Sequence, residues 1–96
     1  MPYRILYTEE ALSELRSILD FISTDNPSAA ARFGESLLDH IDVLAELPEL
    51  GTRVARRSQV RKLLHSPIRI YYRVNKRSRL VEILHLWHAA RWSPYE

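Results

Sequence analysis

A chain of 96 residues with 46% apolar and 27% charged side chains is one ordinary globular domain; it has no room for a second core and no run near the roughly 20 apolar residues of a membrane helix. The absence of cysteine excludes disulfides, thiol nucleophiles and cysteine-ligated zinc or iron–sulfur sites. Met1–Tyr7 shows no basic region followed by an apolar run, so the expected location is the cytoplasm, and the net charge of +2 excludes a strongly one-signed chain.

Tyr3, Ile5 and Tyr7 alternate with Arg4 and Leu6, which predicts a short first strand. Thr8 then offers a hydroxyl cap, and Glu9 and Glu10 place carboxylates in a first helical turn, where the helix dipole favours them. Leu12, Leu15, Ile18, Leu19 and Ile22 follow at helical spacing, so a helix is predicted from about Glu9 to Ser23. Asn26 can cap a second helix with Pro27 at its first position, where a missing N–H costs nothing. Ala30, Phe33, Leu37, Ile41, Leu44 and Leu47 form its apolar stripe, and Pro48 and Gly51 end it. The short link makes the two helices an antiparallel hairpin.

The second half changes period. Val60–His65 and Ile68–Val74 read as strands, and in the latter Ile68, Ile70, Tyr72 and Val74 alternate with Arg69, Tyr71 and Arg73. Asn75–Arg79 is a polar hairpin connection. Leu80–His88 is apolar on both faces, with Val81, Ile83, His85 and Trp87 on one side and Leu80, Leu84 and Leu86 on the other. The predicted fold class is α+β: a short N-terminal strand, then a helix hairpin packed on one face of a C-terminal antiparallel meander. The other face is predicted to present Arg69, Tyr71 and Arg73.

The charges are segregated along the chain. Residues 1–50 carry three basic and ten acidic side chains, and residues 51–96 carry eleven basic and two acidic. Between Arg53 and Arg79 there are ten Lys or Arg and no Asp or Glu. Such a run predicts a positive patch suited to phosphate or to an acidic protein segment. A solvated basic face is the alternative.

Spacing argues against most catalytic chemistries. His85 and His88 are three apart, which on a strand puts them on opposite faces, and His40 and His65 stand isolated in sequence, so no metal site is expected. There is no Gly-x-Ser-x-Gly elbow, and two glycines cannot build a phosphate loop. The helix carboxylates read as solvated faces. The basic face remains: Arg69, Tyr71 and Arg73 project together, with Lys62 on the strand before. Arginine grips phosphate through paired donors and tyrosine stacks on bases. The residues themselves leave phosphoryl chemistry, plain binding and a structural Arg–Tyr ladder all open.

The segments Leu47-Pro48-Glu49-Leu50-Gly51, Val60-Arg61-Lys62-Leu63, Ile68-Arg69-Ile70-Tyr71-Tyr72-Arg73-Val74 and Val81 to Arg91 resemble, in order and spacing, the RelE/ParE toxin superfamily. The strand ending in His-x-x-Arg and the Arg-Ile-Tyr-Tyr-Arg-Val strand are most similar to the ParE-like, or plasmid-stabilisation, branch. The resemblance spans essentially the whole chain. It implies a toxin of a type II toxin–antitoxin pair that inhibits growth and is neutralised by an antitoxin encoded beside it. ParE-like members inhibit DNA gyrase, whereas RelE-like members cleave mRNA in the ribosomal A site; one fold serves both. Whether this chain is an enzyme therefore stays open at this point, as does a third reading, a homologue that has lost toxicity and only binds its antitoxin.

Carried over residue by residue, the nuclease set is incomplete. Arg69 matches the arginine opening the third strand, counted from the N-terminal one, and Lys62 matches the second of two lysines on the strand before, while Val60 occupies the place of the first. Arg91 matches the arginine after the last strand. His88 and Tyr95 are the candidates for moving protons at the 2′-hydroxyl. Arg61, Arg69, Tyr71 and Arg73 are the expected surface for antitoxin or target, and the antitoxin is expected to be acidic where it binds. No cofactor, membrane or direct operator-DNA contact is expected.

Overall fold

The computed structural model describes residues 1–54 and 57–94. Tyr95 lies outside the described residues. In chain order the elements are β1 (Arg4–Tyr7), α1 (Glu9–Asp25), α2 (Pro27–Asp42) running into a 3-10 turn (Val43–Ala45), β2 (Thr52–Val54), β3 (Arg57–His65), β4 (Ile68–Asn75) and β5 (Leu80–His88).

The helix starts follow the predicted caps. Thr8 Oγ1 accepts the Ala11 N–H, and Asn26 Oδ1 accepts the Ala29 N–H. Asn26 also donates its backbone N–H to Ile22 O, so one residue closes α1 and opens α2. That single-residue link forces the antiparallel hairpin, and Gly34 lets the helices approach: a Cβ there would lie 3.2 Å from a Leu19 methyl. The α-helical part of α2 stops at Asp42 and tightens into the 3-10 turn, short of the expected end at Pro48.

Five strands form one sheet in the order β1-β5-β4-β3-β2. β2 to β5 are antiparallel neighbours, and β1 joins β5 in parallel, Arg4 opposite Leu80 and Tyr7 opposite Ile83. The predicted meander is thus present, extended by a short β2 at one edge and by β1 at the other. The helices cover one face. Ala11, Leu37, Ile41 and Leu44 pack there against Ile68, Ile70, Tyr72, Val81, Ile83 and Leu86, all nearly inaccessible to water. A smaller apolar cluster of Val54, Val60, Tyr71 and Trp87 with Leu84 lies on the opposite face.

Strict alternation fails on β5. Tyr71 pairs with His85 but Tyr72 pairs with Ile83, so Leu84 is an extra, bulged residue. A bulge advances the phase by one. It moves Leu86 into the helix-covered core with Val81 and Ile83, and sends Trp87 to the other face.

Candidate functional site: the cationic sheet face

The sheet face away from the helices is set by register. Val60, Lys62 and Leu64 of β3 stand opposite Arg73, Tyr71 and Arg69 of β4, and Arg69 stands opposite Trp87 of β5. Residues directly opposite share a face, so these side chains form one surface. Lys62 and Arg69 line a common groove of about 370 Å³ with Leu50, Gly51, Thr52, Leu63 and Leu64. Leu50 and Leu64 are 46% and 59% exposed there, which gives the groove an apolar rim beside its two cations.

The rest of the expected basic surface is engaged in holding the fold. Tyr71, expected on the exposed face, is fully buried, because Val54, Val60 and Trp87 close over it. Arg73 directs Nε and Nη2 to Glu82 Oε1 at 3.1 and 3.0 Å across the β4–β5 pair. Arg61 donates from Nη1 to Gly51 O at 2.7 Å and pairs at 3.8 Å with Glu49, whose other partner is Lys76 at 2.9 Å. The Lys76 hydrogen bond holds the Glu49 carboxyl below the ordinary carboxylate value. Gly51 donates its own N–H to Tyr72 Oη at 2.7 Å, and burial pushes that phenol up. Arg61 and Tyr72 therefore fasten the Leu50–Thr52 wall of the groove to β3 and β4.

Beyond β5 the chain turns at Ala89–Arg91. The Arg91 guanidinium lies over the ring of Trp87, the residue opposite Arg69 in register, at 4.5 Å. Trp87 stacks with His85 at 4.2 Å between centroids, and its indole N–H donates to Glu14 of α1. Glu14, expected on a solvated helix face, is thus half-buried against β5. Its position was legible in principle: Ala11, Glu14 and Ile18 recur at helical spacing, on the stripe α1 turns to the sheet.

His88 is not gathered with Lys62 and Arg69. It stands opposite Ile68 and lines an apolar groove on the helix side with Ile18, Phe21, Ile22 and Phe33, and its Nδ1 accepts the Ala90 N–H. The two histidines that look isolated in sequence meet in space: His40 Nδ1 and His65 Nδ1 are 2.8 Å apart, and Ser36 Oγ lies 3.3 Å from His65 Nε2. Among the described residues no three His, Asp or Glu side chains form a group able to hold a metal.

The His pair makes stability depend on pH. Burial, and secondarily the His40 charge, hold His65 below its ordinary value of 6.5. The unfolded chain therefore takes up a proton at a higher pH than the fold does. Stability from the neutral His65 is complete above 6.5 and falls as pH drops below it, until folded His65 titrates as well. Thermal melts across this window should show a steeper fall for the native chain than for His65→Gln. Equal slopes would assign the acid sensitivity to other groups.

Comparison with known proteins adds the family. Residues 5–92 match the family model of the ParE toxin of the type II toxin–antitoxin system parDE. The chain is 40% identical over 93 residues to the putative toxin Y4kP of Sinorhizobium fredii, covering 95% of this chain and 93% of the relative. It is 36% identical over 88 residues to the toxin RelE2 of Caulobacter vibrioides, covering 92% and 97%. In fold it is similar to a chain of the chromosomal ParDE system of P. aeruginosa, with TM-score 0.75, 21% identity and coverage of 90% and 95%. A chain of the RelBE2 toxin–antitoxin complex of Mycobacterium tuberculosis gives TM-score 0.70, 20% identity and 95% of each chain. With helix hairpin, five-stranded sheet and sequence in agreement, the chain belongs to the ParE toxin family, within the RelE/ParE superfamily of type II toxin–antitoxin toxins.

Proposed function

We propose that this chain arrests growth by binding DNA gyrase, and that a cognate antitoxin neutralises it. The observation that carries this reading over RNA cleavage is the chemistry of the groove. Its described lining offers Lys62 and Arg69 but no carboxylate, imidazole or phenol. Scission at a 2′-hydroxyl needs a proton acceptor and a donor within reach, and His88 faces the helix side. Two fixed cations with an apolar rim suit a carboxylate-bearing protein surface. Lys62, Arg69 and Arg91 are the contact residues in this reading. Arg61, Tyr71 and Arg73 act beneath them by fixing the strands. Exposed Leu50 and Leu64 beside Lys62 and Arg69 fit an acidic, apolar antitoxin segment, and the similar ParDE and RelBE2 structures are toxin–antitoxin systems.

A second reading, a ribosome-dependent endoribonuclease, is supported by the same three cations, which suit the charge built up on a phosphodiester in its transition state. Tyr95 is then the remaining candidate for proton transfer.

Purified protein in a gyrase supercoiling reaction, beside cell-free translation read by primer extension, separates the readings. Blocked supercoiling with intact message is the expected result, and Arg69→Ala should weaken the block about tenfold or more, as loss of a charge-assisted contact does. Cuts on translated message alone would replace the gyrase reading with the nuclease one. If induction without antitoxin causes no growth arrest and neither assay responds, the chain is a binding homologue without toxicity.

A further inference from the structure

β1 pairs with β5 only as far as Tyr7 opposite Ile83, so the outer backbone groups of β5 beyond that point need other partners. Thr8 Oγ1 donates to the carbonyls of Ile83 and Leu84 at 2.9 and 3.1 Å. Glu14 Oε1 accepts the Leu86 N–H at 3.1 Å. A backbone cap alone needs one oxygen, yet the Glu14 carboxylate does more. Its Oε2 accepts the Trp87 indole N–H, and both oxygens lie 3.2 Å from His85 Nδ1. The indole held in this way stacks on His85, touches Tyr71 at 5.3 Å, and carries the exposed Arg91 guanidinium.

We propose that Glu14 is a positioning residue for Arg91: by gripping the Trp87 indole it fixes the ring plane on which the guanidinium rests, and so places the third cation of the target-binding face. Two effects act together. The hydrogen bond stops the ring from turning about its side-chain bonds, so the cation's seat does not move. An anion accepting from the indole N–H also enriches the ring in negative charge, which strengthens its attraction for a cation. An arginine seated in advance loses less freedom when a target binds. The functional part of this inference rests on Arg91 being a target contact, as proposed above. The structural part does not.

The test uses the full-length chain. Glu14→Gln keeps one carbonyl oxygen for the backbone cap and removes the second acceptor and the charge. In proton–nitrogen NMR spectra it should move the Trp87 Nε1–H signal upfield and shift the Arg91 Nε–H signal as the guanidinium leaves the ring current. Inhibition of the target should weaken about two- to fivefold, the size of an exposed cation–π contact. Glu14→Gln combined with Arg91→Ala should be no worse than Arg91→Ala alone. An unmoved Arg91 signal overturns the positioning role, and so does a double variant whose loss is the product of the two single losses. If Arg91→Ala leaves inhibition unchanged, Arg91 is not a target contact, and the NMR shift still decides the positioning. Should Glu14→Gln not fold, Trp87→Phe keeps a ring but removes the indole donor. The Arg91 signal must then shift as well, and an unchanged signal refutes the proposal.

Discussion

Gly51→Ala should destabilise the protein by about 1–3 kcal/mol or more, as forced overpacking does. An alanine Cβ at this position would lie 2.6 Å from Lys62 O, 2.7 Å from Tyr72 Oη and 2.8 Å from Tyr72 Cε1. The first of these is backbone in the middle of β3 and cannot swing aside. Relief requires the Leu50–Thr52 segment to lift, which breaks the Gly51 N–H bond to Tyr72 and the Arg61 bond to Gly51 O. The same movement opens the wall of the Lys62–Arg69 groove, so inhibition should fall along with stability. Urea unfolding gives the stability change. Tyr72→Phe is the control, since it removes the phenol oxygen at a cost of about 1–3 kcal/mol for the donor left unsatisfied. It cures only part of the clash, so adding it to Gly51→Ala should not restore native stability. A Gly51→Ala change below about 0.5 kcal/mol, the usual scatter for surface positions, would mean that the wall is loose.

Leu37→Ala should cost about 2–5 kcal/mol, the range for deleting a fully buried leucine side chain and leaving a cavity. Leu37 is wholly inaccessible and joins α2 to the sheet with Ile41 and Leu44. Domains of this size have about 5–15 kcal/mol in total, so the melting temperature should drop steeply, by about 4–8 °C per kcal/mol. Phe21 provides the contrast. It is equally apolar but 79% exposed, so Phe21→Ser should leave the melt almost unchanged. Comparable losses from the two variants would contradict the assigned faces of the hairpin.

The helices and the two long antiparallel strands of the meander were legible because each carries many signals that agree. Thr8, Asn26 and Pro27 mark the starts, and the apolar stripes have the right period over several turns. The last strand was legible in extent but not in phase. Its bulge at Leu84 shifts every later side chain to the other face, and nothing in a run that is apolar on both faces marks where one residue is extra. β2 has three residues, too few for any period to show. The parallel pairing of β1 with β5 depends on where the helices deliver the chain, which local pattern does not encode.

The site was half legible. Lys62 and Arg69 share a groove as their strand positions implied. Tyr71 does not join them, because solvent-face alternation says nothing of a second apolar cluster closing over it. The basic run from Arg53 to Arg79 also overstates the open charge. Arg61 and Lys76 meet Glu49, and Arg73 meets Glu82, so acidic residues from outside the run neutralise part of it in space. Glu14 and the His40–His65 pair are contacts between residues 71 and 25 positions apart, visible only once the hairpin lies on the sheet.

The pairing of the first strand with the last ties assembly to the order of synthesis. A ribosome makes residues 4–7 well before their partners at 80–83. The helix hairpin can form early from local contacts, whereas the opening strand waits for the closing one. The Glu14 cluster and the seat of Arg91 wait with it. A nascent chain therefore carries no finished cationic face, and a product cut short before β5 lacks the central ladder, the anchor for its own N-terminus and Arg91 at a single stroke. Only a polypeptide extended through Arg91 can present the three cations proposed to meet the target.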